Sequence, residues 1–201
     1  MSLTAIIVRH GNTFSPGETP RRIGARTDIP LVASGQAQAQ ALATIFAADA
    51  PFDRVLTGPL RRTQETARVI AERQRCPVVV ETHAWLAEID HGPDEDQTED
   101  VVLARVGASA LRAWDEAGEA PAGWTVDAAR RIAAWQALLA NATGRIAIVT
   151  SNGAARFALL AHPDLRAQAG RLASMKLRTG AWGRIAQTGG MFSLGAWDQR
   201  P

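Results

Sequence analysis

Ala5-Ile6-Ile7-Val8, followed at once by Arg9-His10-Gly11, is the stretch on which the reading of this chain turns. Four consecutive apolar residues, three of them β-branched, predict a strand buried on both faces, as in a parallel sheet. Its carboxyl end carries a guanidinium, an imidazole and a glycine, and in open α/β sheets ligands bind along that edge. Arg9 offers a permanently charged fork of donors suited to phosphate or carboxylate. His10 can serve as nucleophile, proton carrier or metal ligand. Gly11 lets the backbone turn and approach a bound group. Alone, Arg-His-Gly is also compatible with an ordinary strand end, so its meaning depends on the rest of the chain.

A second buried strand, Ile146-Ala147-Ile148-Val149-Thr150, again ends on polar residues, Ser151-Asn152-Gly153, before a helix over 154–160 that stops near His162-Pro163. Between these two strands, Arg54–Thr57 and Val78–Val80 predict shorter strands, and 183–186 and 191–197 predict two more in the tail. Ser34 is placed to cap a helix whose Ala37, Ala41, Leu42, Ile45 and Phe46 share a face. Thr57-Gly58-Pro59 opens another helix, with Leu60, Ala67, Ile70 and Ala71 as its buried stripe and Arg62 in its first turn. Free backbone N–H groups, the helix dipole and a guanidinium there favour an anion, although an exposed arginine on a charged helix is the plainer reading. Further helices follow Thr98 and run over about 126–141, joined by the Gly118–Gly123 link. Strand-then-helix units predict an α/β chain, a three-layer α/β/α sandwich with a mainly parallel central sheet.

At 201 residues the chain suits one domain, residues 1–201, with 46% hydrophobic and 21% charged residues in the globular range. Net charge is only +2 although the pI is about 9.4. With no tyrosine and one cysteine, little titrates between histidine and lysine, so the pI does not argue for nucleic acid. No basic run with interleaved aromatics is present, and no nucleic-acid partner is expected. Cys76, before Pro77, excludes an intrachain disulfide and a Cys-rich zinc site and reads as structural. The apolar start stops at Arg9, too short for a signal peptide, and no run reaches membrane-spanning length; the expectation is a cytoplasmic protein without a membrane partner. Arg21, Arg22 and Arg26 in the Gly/Pro-rich loop 12–30 are expected at a solvated surface. The acidic stretch Asp94, Glu95, Asp96, Glu99 and Asp100 is expected to complement a helix start, with an acidic lip over a pocket as the alternative.

The motifs taken together resemble the histidine phosphatase superfamily, which includes the cofactor-dependent phosphoglycerate mutases. Arg9-His10-Gly11-Asn12-Thr13 is similar to its opening signature. Asp28-Ile29-Pro30-Leu31 with Gly35 and Gln38-Ala39 resembles the segment that follows, and Leu60 through Ala67 resembles the second-arginine helix, with Arg62 on the phosphate-binding position. Leu86-Ala87-Glu88 with Gly92 resembles the stretch bearing the family's acid. The matches occur in family order and are weakest between Asp94 and Val126, where a helical insertion at about 94–125 is expected to cover the site.

The resemblance implies that His10 attacks phosphorus and becomes a phosphohistidine, that Arg9 and Arg62 hold the phosphoryl oxygens, and that Glu88 protonates the leaving oxygen and then activates water, which asks for a raised carboxyl pKa. Asn12, Ser151 and Asn152 are the further substrate-binding candidates. No metal and no cofactor are implied. The family's second catalytic histidine is matched here by Ser151, counting back from Arg156. Losing a charged donor there costs on the order of 2–4 kcal/mol in the transition state, or about 10²–10³ in rate; capping of the next helix is the plainer role for Ser151 or Asn152. His91, a few residues past Glu88, is a candidate stand-in for that imidazole, with a surface histidine the plainer reading, and His83 and His162 have no catalytic context.

The expected activity is therefore hydrolysis of a small-molecule phosphomonoester. The alternatives are a weakened relative that binds a phosphorylated ligand or partner without turnover, and a mutase-type phosphotransferase. Trp114 and Trp124 fall in the insertion and leave homodimerisation open.

Overall fold

The computed structural model describes residues 2–201. Six strands form one sheet: β1 (Leu3–Arg9), β2 (Arg54–Thr57), β3 (Val80–Thr82), β4 (Gly144–Thr150), β5 (Trp182–Thr188) and β6 (Met191–Leu194). Their spatial order is β3-β2-β4-β1-β5-β6. The first four are mutually parallel, while β5 runs antiparallel to β1 and β6 antiparallel to β5. The helices are α1 (Ala33–Ala47), α2 (Arg61–Glu72), α3 (Glu99–Ala117), α4 (Ala128–Asn141), α5 (Asn152–Leu160) and α6 (Pro163–Ala169).

Period-two alternation along β1 divides the core. Ile6 and Val8 pack with Leu42 and Phe46 of α1 and Ala67 and Ile70 of α2. Leu3, Ala5 and Ile7 pack on the opposite face with Trp135 of α4, Phe157 of α5 and Leu165 of α6. This is the three-layer sandwich expected, and it buries β1 and β4 on both sides, which is why both read as unbroken apolar runs. Truncating a fully buried residue such as Ile7 or Ile148 to Ala costs about 2–5 kcal/mol.

The chain leaves β1 toward β2 and leaves β4 toward β5, in opposite directions along the sheet, so a crevice opens where β1 and β4 end side by side. Helix α1 approaches that crevice closely: a Cβ on Gly11 would lie 2.3 Å from the Gly35 carbonyl oxygen, and one on Gly35 would lie 2.1 Å from that of Asn12. Only two glycines allow this backbone contact.

Several boundaries differ from expectation. Of Val78–Val80 only Val80 belongs to β3, and Val79 is exposed, because this edge strand has one neighbour. Ser34 does not cap α1, whose cap position is Val32; it lies within the first turn and accepts from Asn12 Nδ2 at 3.2 Å. Helix α2 starts at Arg61 rather than at Pro59, with Arg62 still in its first turn. Helix α6 was not expected; Pro163 opens it, and His162 caps it by accepting from the Asp164 N–H at 3.2 Å. Cys76 is exposed rather than structural, since α2 has already ended before it.

Candidate active site

A cavity of about 800 Å³ opens at the ends of β1 and β4, and Arg9, His10, Asn12, Glu88 and Asn152 all line it. Arg62 and Ser151 are wholly buried and lie outside its wall.

His10 is fixed from both sides of its backbone, its N–H donating to the Thr150 carbonyl at 3.1 Å and its carbonyl accepting from Gly180 at 3.0 Å. Its Nδ1 stands 2.8 Å from the Gly11 carbonyl. A carbonyl only accepts, so Nδ1 carries the proton and Nε2 keeps its lone pair. Burial, then the positive fields of Arg62 and Arg9, push the imidazole pKa well below its usual value. The ring is neutral at ordinary pH and ready to act as a nucleophile through Nε2.

Arg9 donates from Nη1 to the Leu177 carbonyl at 2.7 Å, and the Leu177 N–H donates to Asn152 Oδ1 at 2.9 Å. Burial lowers the Arg9 pKa to about 10, against the raising field of Glu88, and leaves it charged at neutral pH. Arg62 donates from Nη1 to the Thr27 carbonyl at 2.6 Å and from Nη2 to that of Gly24 at 3.0 Å, so the exposed-arginine reading of this residue does not hold. Arg9 Nε, Arg62 Nε and Ser151 Oγ are buried with no protein partner. Buried unpaired donors cost about 1–3 kcal/mol each, and their natural satisfaction is an anion with several acceptor oxygens. Ser151 occupies the cap position of α5 without making a side-chain cap bond.

Glu88 is held by its own loop and by the turn after β4: Oε1 accepts from the Ile89 N–H at 2.9 Å and Oε2 from that of Gly153 at 3.1 Å. Burial raises its pKa, but the fields of His91 and Arg62 and the two backbone donors outweigh it, and the carboxyl sits below its usual range. This corrects the expectation of a raised value. Asn12 is committed on every side: its N–H donates to Gln38 Oε1 at 2.8 Å, its Nδ2 to Ser34, and its Oδ1 accepts from Thr179 Oγ1.

Arg21 and Arg26 are exposed, as expected, whereas Arg22 is half-buried. Arg21 and Arg22 line the cavity and pair with Asp96 at 3.0 Å and Glu99 at 2.5 Å; Arg26 stays outside it, paired with Asp90. Asp94 is buried rather than solvated, accepting from Arg105 Nε at 2.5 Å and Trp124 Nε1 at 2.6 Å, while Glu99 and Asp100 do stand in the first turn of α3. His91 is buried, not at the surface, and lines the cavity. Lys176, Arg178, Thr179 and Arg200 also line it and were not singled out; the antiparallel pairing of β5 with β1 brings their segment here, and no local pattern announces that pairing. Among the described residues, no helix is long and apolar enough to cross a membrane, and no three His, Cys, Asp or Glu side chains cluster as a metal site.

Comparison with known proteins fits this geometry. The solved mycobacterial glucosyl-3-phosphoglycerate phosphatase superimposes with a TM-score of 0.76 over 98% of this chain and 99% of that one, and at 24% identity it shows a shared fold. The alpha-ribazole phosphatase from Shigella flexneri superimposes with a TM-score of 0.70 at 26% identity, covering 98% and 96%. A curated relative, "Probable phosphoglycerate mutase GpmB" of Enterobacter sp. (strain 638), is 37% identical over 90 residues. That match spans 45% of this chain and 40% of the relative. The histidine phosphatase superfamily (branch 1) matches from residue 5 to residue 200, and this chain belongs to it.

Proposed function

We propose that the protein hydrolyses small-molecule phosphomonoesters through a phosphohistidine at His10. The single observation that carries this reading is a neutral, tautomer-fixed imidazole on the cavity wall with Arg9, whose buried Nε has no partner in the protein, and with the field of Arg62 acting on the ring.

In the first half-reaction, the Nε2 lone pair forms an N–P bond as the ester P–O bond breaks. The ring becomes positively charged, and the Gly11 carbonyl facing Nδ1–H stabilises it. Arg9 and Arg62 neutralise the charge that spreads over the phosphoryl oxygens. The leaving oxygen takes a proton from the Glu88 carboxylic acid. Glu88 is ionised without ligand, but a phosphoryl dianion beside it is a like charge that raises its pKa, so the proton arrives with the substrate. In the second half-reaction, Glu88 takes a proton from water, the water oxygen bonds to phosphorus, and the N–P bond breaks to release phosphate and neutral His10. The 94–125 segment, which contributes Glu99, Trp114 and Asp115 to the wall, then sets which leaving group is accepted.

One observation favours binding without turnover: the resting Glu88 is held ionised, the wrong state for a general acid. Rapid mixing with a ³²P-labelled aryl phosphate tests the choice. An acid-labile, alkali-stable label on wild type that is absent from His10→Ala, with release of inorganic phosphate, is the expected result. Phosphate binding with neither label nor release establishes the binder, and transfer of the label to a sugar or glycerate hydroxyl in preference to water establishes the mutase.

A further inference from the structure

His91 is the one ring besides His10 among the titratable side chains of the cavity wall, and its surroundings are built rather than incidental. It is only 5% exposed. Its Nδ1 is buried and faces Glu95 Oε2 at 3.7 Å. Glu95 is in turn fixed: Oε1 accepts from the Gly24 N–H at 2.8 Å and from Thr27 Oγ1 at 2.7 Å, and Oε2 from the His91 N–H at 3.4 Å. Burial raises the Glu95 pKa, but hydrogen bonds from His91, Thr27 and Gly24 hold it down at about 2, so it is a carboxylate at neutral pH. The ring packs edge-on against Trp124, with centroids 4.7 Å apart, and Trp124 is anchored through Nε1 to Asp94.

Gly24 ties this pair to the phosphate-binding arginine. Its N–H holds Glu95 while its carbonyl holds Arg62 Nη2 at 3.0 Å. A Cβ at this position would meet Glu95 Oε2 at 2.4 Å and His91 Nδ1 at 2.6 Å. On the other side, His91 and Glu88 line the same cavity, and His91 gives the largest of the fields that lower the Glu88 pKa. With Nδ1 facing Glu95, Nε2 is the ring nitrogen left for a ligand in the cavity that His91 lines. A buried carboxylate that orients an imidazole and settles which nitrogen meets the ligand is a recurrent catalytic arrangement.

We propose that His91 is a further catalytic residue: in its protonated form it donates from Nε2 to a non-bridging phosphoryl oxygen on the Glu88 side of the site, with Glu95 as its positioning residue. The charged groups around the ring are Glu95 and Glu88 on its own stretch and, across Gly24 and Trp124, Arg62 and Arg22. The proposal rests on the phosphoryl-site reading above, and it supplies the charged donor that Ser151 cannot.

The test uses inorganic phosphate as the probe, titrated calorimetrically at slightly acidic pH into wild type, His91→Phe and His91→Gln. Phenylalanine keeps the aromatic contact with Trp124 and removes both nitrogens. The expected result is phosphate binding at least about 10-fold weaker in His91→Phe, with kcat/KM on an aryl phosphate down about 10²-fold, His91→Gln falling between. Glu95→Gln should weaken phosphate less in the His91→Phe background than in wild type, a non-additivity that a purely structural carboxylate would not show. Phosphate affinity and kcat/KM within about twofold of wild type in His91→Phe overturn the proposal; if that variant does not fold, the same two numbers for His91→Gln decide. Wild type that binds phosphate but never hydrolyses an ester refutes the phosphatase and leaves the His91 contact to stand or fall on affinity alone. Wild type that binds no phosphate refutes both.

Discussion

The Nδ1 proton of His10 is held by the carbonyl oxygen of its own neighbour, Gly11, 2.8 Å away. Burial and two nearby guanidiniums keep the ring neutral, against this contact, which favours the charged form. The rate of His10 phosphorylation should therefore persist well below about pH 6.5, the ordinary imidazole value, and single-turnover rates followed from about pH 8 to about pH 5 measure this. An acid limb centred at or above about pH 6.5 that belongs to His10 contradicts the arrangement.

The same depression has a stability consequence. Below about pH 6.5 the unfolded chain binds a proton at His10 that the folded chain refuses, so acid weakens the fold through this residue. In His10→Ala the melting temperature should fall less between about pH 7 and about pH 5 than in wild type, as read by thermal denaturation.

Glu88→Gln keeps an oxygen for one of the two backbone donors at Ile89 and Gly153 but cannot transfer a proton. Turnover of alkyl phosphates, whose leaving oxygens need protonation, should drop by about 10²–10⁴, and that of activated aryl phosphates by less. Equal losses across a leaving-group series would deny Glu88 the acid role.

Ser151→Ala removes a buried hydroxyl that has no partner. Stability should stay level or rise by up to about 1 kcal/mol in chemical denaturation, while inorganic phosphate binds several-fold more weakly. Loss of stability by more than that would show that the hydroxyl is engaged in the resting fold.

Gly35→Ala places a methyl 2.1 Å from the Asn12 carbonyl oxygen, where backbone, not a pliant side chain, must yield. A loss of about 1–3 kcal/mol is expected, together with reduced activity, because Asn12 is two residues from His10.

Legibility followed the range of the interactions. β1 and β4 were readable because burial on both faces leaves continuous β-branched runs, and the polar residues after Val8 and Val149 mark the rim where the cavity opens. Arg62 was readable from its motif and not from its chemistry, since nothing local says that a guanidinium in a helix first turn is fully buried. His91 was misjudged because its burial is conferred by Trp124 and by Gly24, contacts that no neighbouring residue encodes. Glu88 lines the cavity with His10, but its ionisation was not readable, because Gly153 and His91 act on it through space. The residues from Lys176 onward escaped notice for the same reason: their place at the cavity depends on β5 joining the far side of β1.

One peptide unit, that of Leu177, offers its carbonyl to Arg9 and its N–H to Asn152. Its consequence is temporal. On the ribosome, His10 and the four parallel strands are made before Leu177 emerges, so a nascent chain holds His10 without the contact that aims Arg9 beside it. The contact that holds Arg9 in place is thus made after the strands it serves, and a chain cut before Leu177 would keep His10 while losing that hold on Arg9.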